Sequence, residues 1–105
     1  MKLDIQSIHF DADDRLLEFI QKKSDKLETF HDRITGGEVF LRLEKGDNTR
    51  DNKVVEMKVF IPGTTLFAKE QSTSFEAATD EAIESLRIQL NRAKEKMKSH
   101  KINIE

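Results

Sequence analysis

Apolar residues in this chain change their spacing along its length, and those changes limit which elements can form and in what order. Leu3, Ile5 and Ser7 alternate with polar neighbours, the period of a half-buried strand. Leu16, Leu17, Ile20, Leu27 and Phe30 follow at helical spacing, so a helix is expected to run to about Phe30 or His31. Asp11 is placed to cap it, with Asp13 and Asp14 in a first turn where the helix dipole favours anions. The period then returns to two. Val39, Leu41 and Leu43 predict a second strand, and Val55, Met57, Val59 and Ile61 a third. Pro62-Gly63 is a turn signal, and Leu66 and Ala68 mark a fourth strand. Thr73-Ser74-Phe75-Glu76 fits a capping box with Thr73 as cap, opening a last helix to about Lys98.

The order is therefore strand, helix, three strands, helix. A helical crossover makes the first two strands parallel, and the shorter links make the later ones antiparallel. Two amphipathic helices have one sheet to cover. The expected fold is α+β, a β-α-β-β-β-α two-layer sandwich with both helices on one face of a four-stranded mixed sheet. At 105 residues the chain is expected to form a single domain spanning 1–105. No repeat, low-complexity tract or linker interrupts it. The absence of cysteine excludes a disulfide scaffold, a thiol nucleophile and a cysteine-ligated metal. With no apolar run of spanning length and no apolar core at the N-terminus, the expected location is cytoplasmic, with no membrane partner.

Charge is distributed unevenly. The net charge is only −2, yet residues 86–101 hold Arg87, Arg92, Lys94, Lys96, Lys98 and Lys101 against the single acid Glu95. At 100° per residue, Phe75, Ala78, Ala82, Leu86, Leu90, Ala93 and Met97 form the stripe that should face the sheet. Arg87, Lys94, Lys98 and Lys101 fall beside that stripe, Arg92 and Lys96 fall on the opposite flank, and the cations extend over about 24 Å. Ile88 points away from the core. Cations suited to the helix dipole explain one or two of these residues, not six. The first helix adds Lys22, Lys23 and Lys26, with Arg33 just beyond it, among the acids Asp25, Glu28 and Asp32. Lys23 lies nearest the apolar stripe and must extend its ammonium outward. Side by side on one sheet face, the two helices would border a common groove able to hold RNA phosphates by charge and counterion release.

Other signals point to structure. His9, His31 and His100 lack metal-ligand spacing and read as surface or boundary residues. Capping accounts for the aspartates at 11, 13 and 14. Residues 47–53 resemble a calcium loop but lack its glycine and have Lys58 where the bidentate acid belongs. No phosphate loop, serine elbow or histidine-based triad appears, so neither enzymatic activity nor a cofactor is expected. Phe40, Phe60 and Phe67 alternate out of register with the core and should lie on the uncovered sheet face, as cross-strand packing or a partner contact.

Two stretches carry a family resemblance. "KLETFHDRI" (Lys26 to Ile34) resembles the end of the first helix in ribosome hibernation-promoting factors, also called ribosome-associated inhibitors or sigma-factor modulation proteins. "FEAATDEAIESLRIQLNRAKEKMKSH" (Phe75 to His100) resembles their second helix. The resemblance implies the same β-α-β-β-β-α fold and a non-enzymatic activity. It implies binding to the small ribosomal subunit and its rRNA in the mRNA/tRNA channel, which stops translation and preserves idle ribosomes. It implies no small-molecule substrate. By position, Lys23, Lys26 and Arg33 match family cations of the first helix, and Arg92, Lys94 and Lys96 those of the second. Ser85 and Ile88 stand where the family commonly carries lysine and arginine, and Arg87 is a candidate replacement displaced by one residue. The chain is expected to be of the short type, without the long C-terminal extension that pairs two ribosomes. The competing expectation is a protein-interaction module that modulates a transcription factor through Ile88 or the open sheet face.

Overall fold

The computed structural model describes residues 1–44 and 51–104, with side chains of the last helix described through residue 96. The elements follow in the expected order: β1 (Leu3–Ser7), α1 (Asp14–Asp25), a 3-10 turn (Lys26–Thr29), β2 (Gly36–Leu43), β3 (Lys53–Ile61), β4 (Thr64–Ser72) and α2 (Phe75–Ile104). The sheet order is β1-β2-β3-β4, with β1 parallel to β2 and the other two pairs antiparallel. Ile5 pairs with Val39, Val39 with Met57 and Met57 with Ala68, so one apolar row crosses all four strands on the covered face. Leu16, Ile20 and Leu27 pack with that row, and so do Phe75, Ala78, Ala82, Leu86 and Leu90, in one continuous core. Both helices therefore cover the same face. Residues 47–50 of the calcium-like stretch lie outside the described residues, while Lys53 already belongs to β3.

Several boundaries differ from the sequence expectation. Asp13, not Asp11, caps α1: its carboxylate accepts from the backbone N–H of Arg15 at 2.8 Å. The reason lies in residues 8 to 10. His9 adopts a left-handed φ of 66°, and the Phe10 ring stacks on Phe75 at 5.2 Å, which fastens this turn to the start of α2 and delays helix entry. At the other end α1 stops at Asp25, and the 3-10 turn carries Leu27 into the core instead of one helix continuing to Phe30. Ser74 replaces Thr73 as the cap of α2, because β4 uses the chain up to Ser72; its hydroxyl accepts from Ala77 N–H at 3.0 Å. The helix also runs past Lys98 to Ile104. His31 is buried, not at the surface or boundary as expected; its Nδ1 accepts from the Arg33 N–H at 3.1 Å.

The topology has a directional consequence. β4 is antiparallel to β3, which is antiparallel to β2, so β4 points the same way as β1 and β2. Each helix returns antiparallel to the strand before it, and α1 and α2 therefore run parallel to one another. Contacts in register along the pair agree: Phe10 meets Phe75, Lys23 meets Asp80, and Phe30 meets Arg87. The C-terminal ends of both helices thus point the same way, with Lys23 level with Asp80 near the start of α2 and Arg92 to Lys96 about 18 to 24 Å farther along that axis.

Candidate nucleic-acid interface

The interface is built on the outer surface of α1, the 3-10 turn and α2. Lys22 and Lys26 are exposed, and so is Arg33 in the loop that follows. The His31 ring, itself buried, holds the backbone at Arg33 through the bond described above. On α2, Lys94, Arg92 and Lys96 are exposed, while Arg87 is partly buried. Lys98 and Lys101 lie on the α2 backbone, but their side chains are outside the described residues.

Not all of these cations face one groove. Lys23 and Arg87 lie on the seam between the helices. The Lys23 ammonium reaches Asp80 of α2 at 3.3 Å and sits over the Phe19 ring at 5.4 Å from its centroid. Instead of extending freely to solvent, it bridges the two helices. The Arg87 guanidinium forms a fork on Glu84, at 2.5 and 3.0 Å, and lies 5.8 Å from the centroid of Phe30. Glu84 raises the guanidinium's affinity for its proton, and Arg87 holds the Glu84 carboxyl below the usual carboxylate range, by hydrogen bonding first and charge second. Lys94 follows Arg87 by two turns on the same flank.

Arg92 and Lys96 occupy the other flank. With Thr64, Leu66, Gln89, Ala93 and Glu95 they line an open groove between α2 and β4. Gln89 fixes that side of the helix, donating to the Phe67 carbonyl at 2.8 Å and to the Ser85 hydroxyl at 3.1 Å. The common groove expected from sequence is therefore two cationic flanks separated by α2. Among the described residues, no carboxylate lies at ion-pair distance from Lys22, Lys26, Arg33, Arg92, Lys94 or Lys96.

This geometry bears on the two positions where the sequence departs from the resemblance. Ser85 lies on the β4 flank and Ile88 is exposed, while Arg87 faces Phe30 and is held by Glu84. Arg87 therefore does not put charge back where residues 85 and 88 lack it. Sequence reading missed the partners Phe19, Phe30, Asp80 and Glu84. The helical spacings Phe19–Lys23 and Glu84–Arg87 were available signals, being i,i+4 and i,i+3 pairs. The interhelical contacts were not, because they depend on how α1 is set against α2.

The uncovered sheet face carries Phe40, Phe60 and Phe67 as expected, with Phe67 46% exposed and the other two half-buried. There Arg42 donates to Glu56 of the neighbouring strand at 2.8 Å, and the Lys58 ammonium lies 5.9 Å from the centroid of the Phe40 ring. Among the described residues no helix is long and apolar enough to cross a membrane.

Comparison with known proteins follows the same lines. The ribosome hibernation promoting factor of Escherichia coli strain K12 is 32% identical over 100 residues, covering 95% of this chain and 100% of that protein. The protein of the same name from Pseudomonas putida is 28% identical over 99 residues, covering 94% of this chain and 92% of its own length. A ribosomal subunit interface protein from Coxiella burnetii superposes with a TM-score of 0.78 at 23% identity, covering 90% of this chain and 98% of that one. The N-terminal domain of Thermus thermophilus Protein Y gives 0.75 at 22% identity, covering 88% and 98%. These two structures share its fold. The family profile described as Sigma 54 modulation protein / S30EA ribosomal protein matches residues 3–98, and the chain belongs to that family.

Proposed function

We propose that this chain is a ribosome-associated translation inhibitor that binds the small ribosomal subunit in the mRNA/tRNA channel and preserves idle ribosomes. It acts by occupying an RNA surface, without chemistry. Its relatives are named ribosome hibernation promoting factors, and a structural neighbour is named a ribosomal subunit interface protein. The observation that carries the reading is the parallel pairing of α1 and α2. It sets Lys22, Lys26 and Arg33 in line with the cations farther along α2, in a chain whose net charge is −2, and among the described residues no carboxylate pairs with Lys22, Lys26, Arg33 or Lys94. Phosphate contacts position such a protein, and the shape of the folded RNA supplies specificity. The site of action places the protein in the cytoplasm.

Sedimentation with purified small subunits tests this. If about six phosphates are engaged, affinity falls about a thousandfold between about 50 mM and about 200 mM salt. The Lys94→Glu, Lys96→Glu, Lys98→Glu triple variant is expected to lose binding while keeping its fold, since Lys94 and Lys96 lie outside the core. Undiminished binding by that variant defeats the proposal. Association that resists nuclease but needs Phe67 would point instead to protein docking on the open sheet face.

A further inference from the structure

The seam between α1 and α2 presents its charges unusually: both of its cations are already occupied, and the occupying acids are the more exposed partners. Asp80 is 55% exposed against 35% for Lys23, and Glu84 is 59% exposed against 35% for Arg87. Each cation also rests near an aromatic ring that holds it in place independently of its acid, Phe19 for Lys23 and Phe30 for Arg87. A carboxylate and a phosphate offer the same two-oxygen face to a guanidinium. An RNA phosphate can thus take the place of Glu84 on Arg87 while the acid swings outward into solvent.

We infer that Asp80 and Glu84 are built-in competitors for RNA phosphate, which reserve Lys23 and Arg87 for a folded RNA surface able to displace both acids and leave unstructured RNA to the unpaired cations. The inference rests on the RNA-binding reading above and adds a source of selectivity to it. A flexible single strand gains little from each phosphate it places, and here it must also separate an existing ion pair. A rigid rRNA surface that docks by shape delivers its phosphates to the seam together. Paired cations also hold few counterions, so they add little to the salt dependence of weak binding.

Fluorescence anisotropy with labelled poly(U), using the full chain over a series of salt concentrations, tests this. Lys94→Gln is expected to weaken binding and to make the log–log salt slope shallower by about 0.7, the value for one contact to a single strand. The Asp80→Asn, Glu84→Gln double variant is expected to bind poly(U) about three- to tenfold more tightly, as release of two exposed ion pairs allows. Its salt slope should steepen by about 1.4, for two added contacts. Adding Lys23→Gln and Arg87→Gln should cancel that gain. The control Glu18→Gln, Glu81→Gln makes the same change in net charge at exposed positions without ion pairs among the described residues, and should give neither the gain nor the steeper slope. If Lys94→Gln has no effect, RNA binding by this surface is wrong and the inference falls with it. If Lys94→Gln weakens binding but the double variant is unchanged, or only matches its control, the inference alone is overturned. Circular dichroism melts of each variant confirm that the fold is retained.

Discussion

Replacing Gly37 by alanine tests how closely β1 is fitted against the rest of the sheet. Gly37 lies in β2, paired with Leu3 on one side and Val59 on the other, and its φ is not positive. Alanine would be free to adopt this backbone, so the need for glycine is steric. A Cβ at residue 37 would stand 2.7 Å from the Lys58 carbonyl oxygen, 3.0 Å from Met1 Cε and 3.1 Å from Leu3 Cδ1. The Met1 and Leu3 side chains can yield by a few tenths of an ångström. The Lys58 carbonyl cannot, because it belongs to the β2–β3 ladder, where Glu38 pairs with Lys58 and Gly37 with Val59. Reaching an ordinary carbon–oxygen contact of about 3.3 Å requires the backbone to move about 0.6 Å. Overpacking of this kind costs about 1–3 kcal/mol. The smaller entropy of the unfolded alanine chain returns about 0.4–1 kcal/mol. The net destabilisation is about 1–2 kcal/mol, which for a chain of this size lowers Tm by about 5–15 °C. Thermal melts and urea titrations followed by far-UV circular dichroism measure it, with an unchanged m-value showing that the native fold persists. A Gly37→Ala protein as stable as the parent, or more so, would show that the close approach of β1 and β3 to residue 37 does not constrain this position.

Other consequences follow from the helices. Ser24 Oγ and Thr79 Oγ1 are fully buried and have no hydrogen-bond partner among the described residues. Ser24→Ala and Thr79→Val should each stabilise the protein by about 1 kcal/mol in chemical denaturation, since each removes a buried hydroxyl that nothing satisfies. A loss of stability in both would mean that these hydroxyls are bonded in solution. The Glu84 carboxyl, depressed by Arg87, contributes stability that is fully present above its ordinary value of 4.5 and is lost as pH falls through its lower folded value. As pH falls below 4.5, Glu84→Gln should therefore lose less stability than the parent, and identical acid limbs in the two melting profiles would contradict the pairing.

Much of the fold was legible because it rests on short-range patterns. The alternation of Val55, Met57, Val59 and Ile61 identifies β3, and Phe75 through Leu90 identify the buried stripe of α2. The helix entries were not legible to the residue. Asp11 and Asp13 have the same capping chemistry, and the stacking of Phe10 on Phe75 chooses between them. The candidate interface was legible as a list of cations but not as a shape. Helical spacing put Arg92 and Lys96 across the stripe from Arg87 and Lys94, yet only the packed structure shows the first two facing β4 and Arg87 facing the 3-10 turn and Phe30.

The sequence by itself determined which residues are apolar, their periods and the excess of positive charge late in the chain, since these depend on each residue and its near neighbours. Tertiary structure decided which of the described cations are paired. Strand order makes the helices parallel, and it brings Asp80 within reach of Lys23 although 57 positions separate them in the chain. An ion pair depends on distance in space, and sheet topology sets that distance.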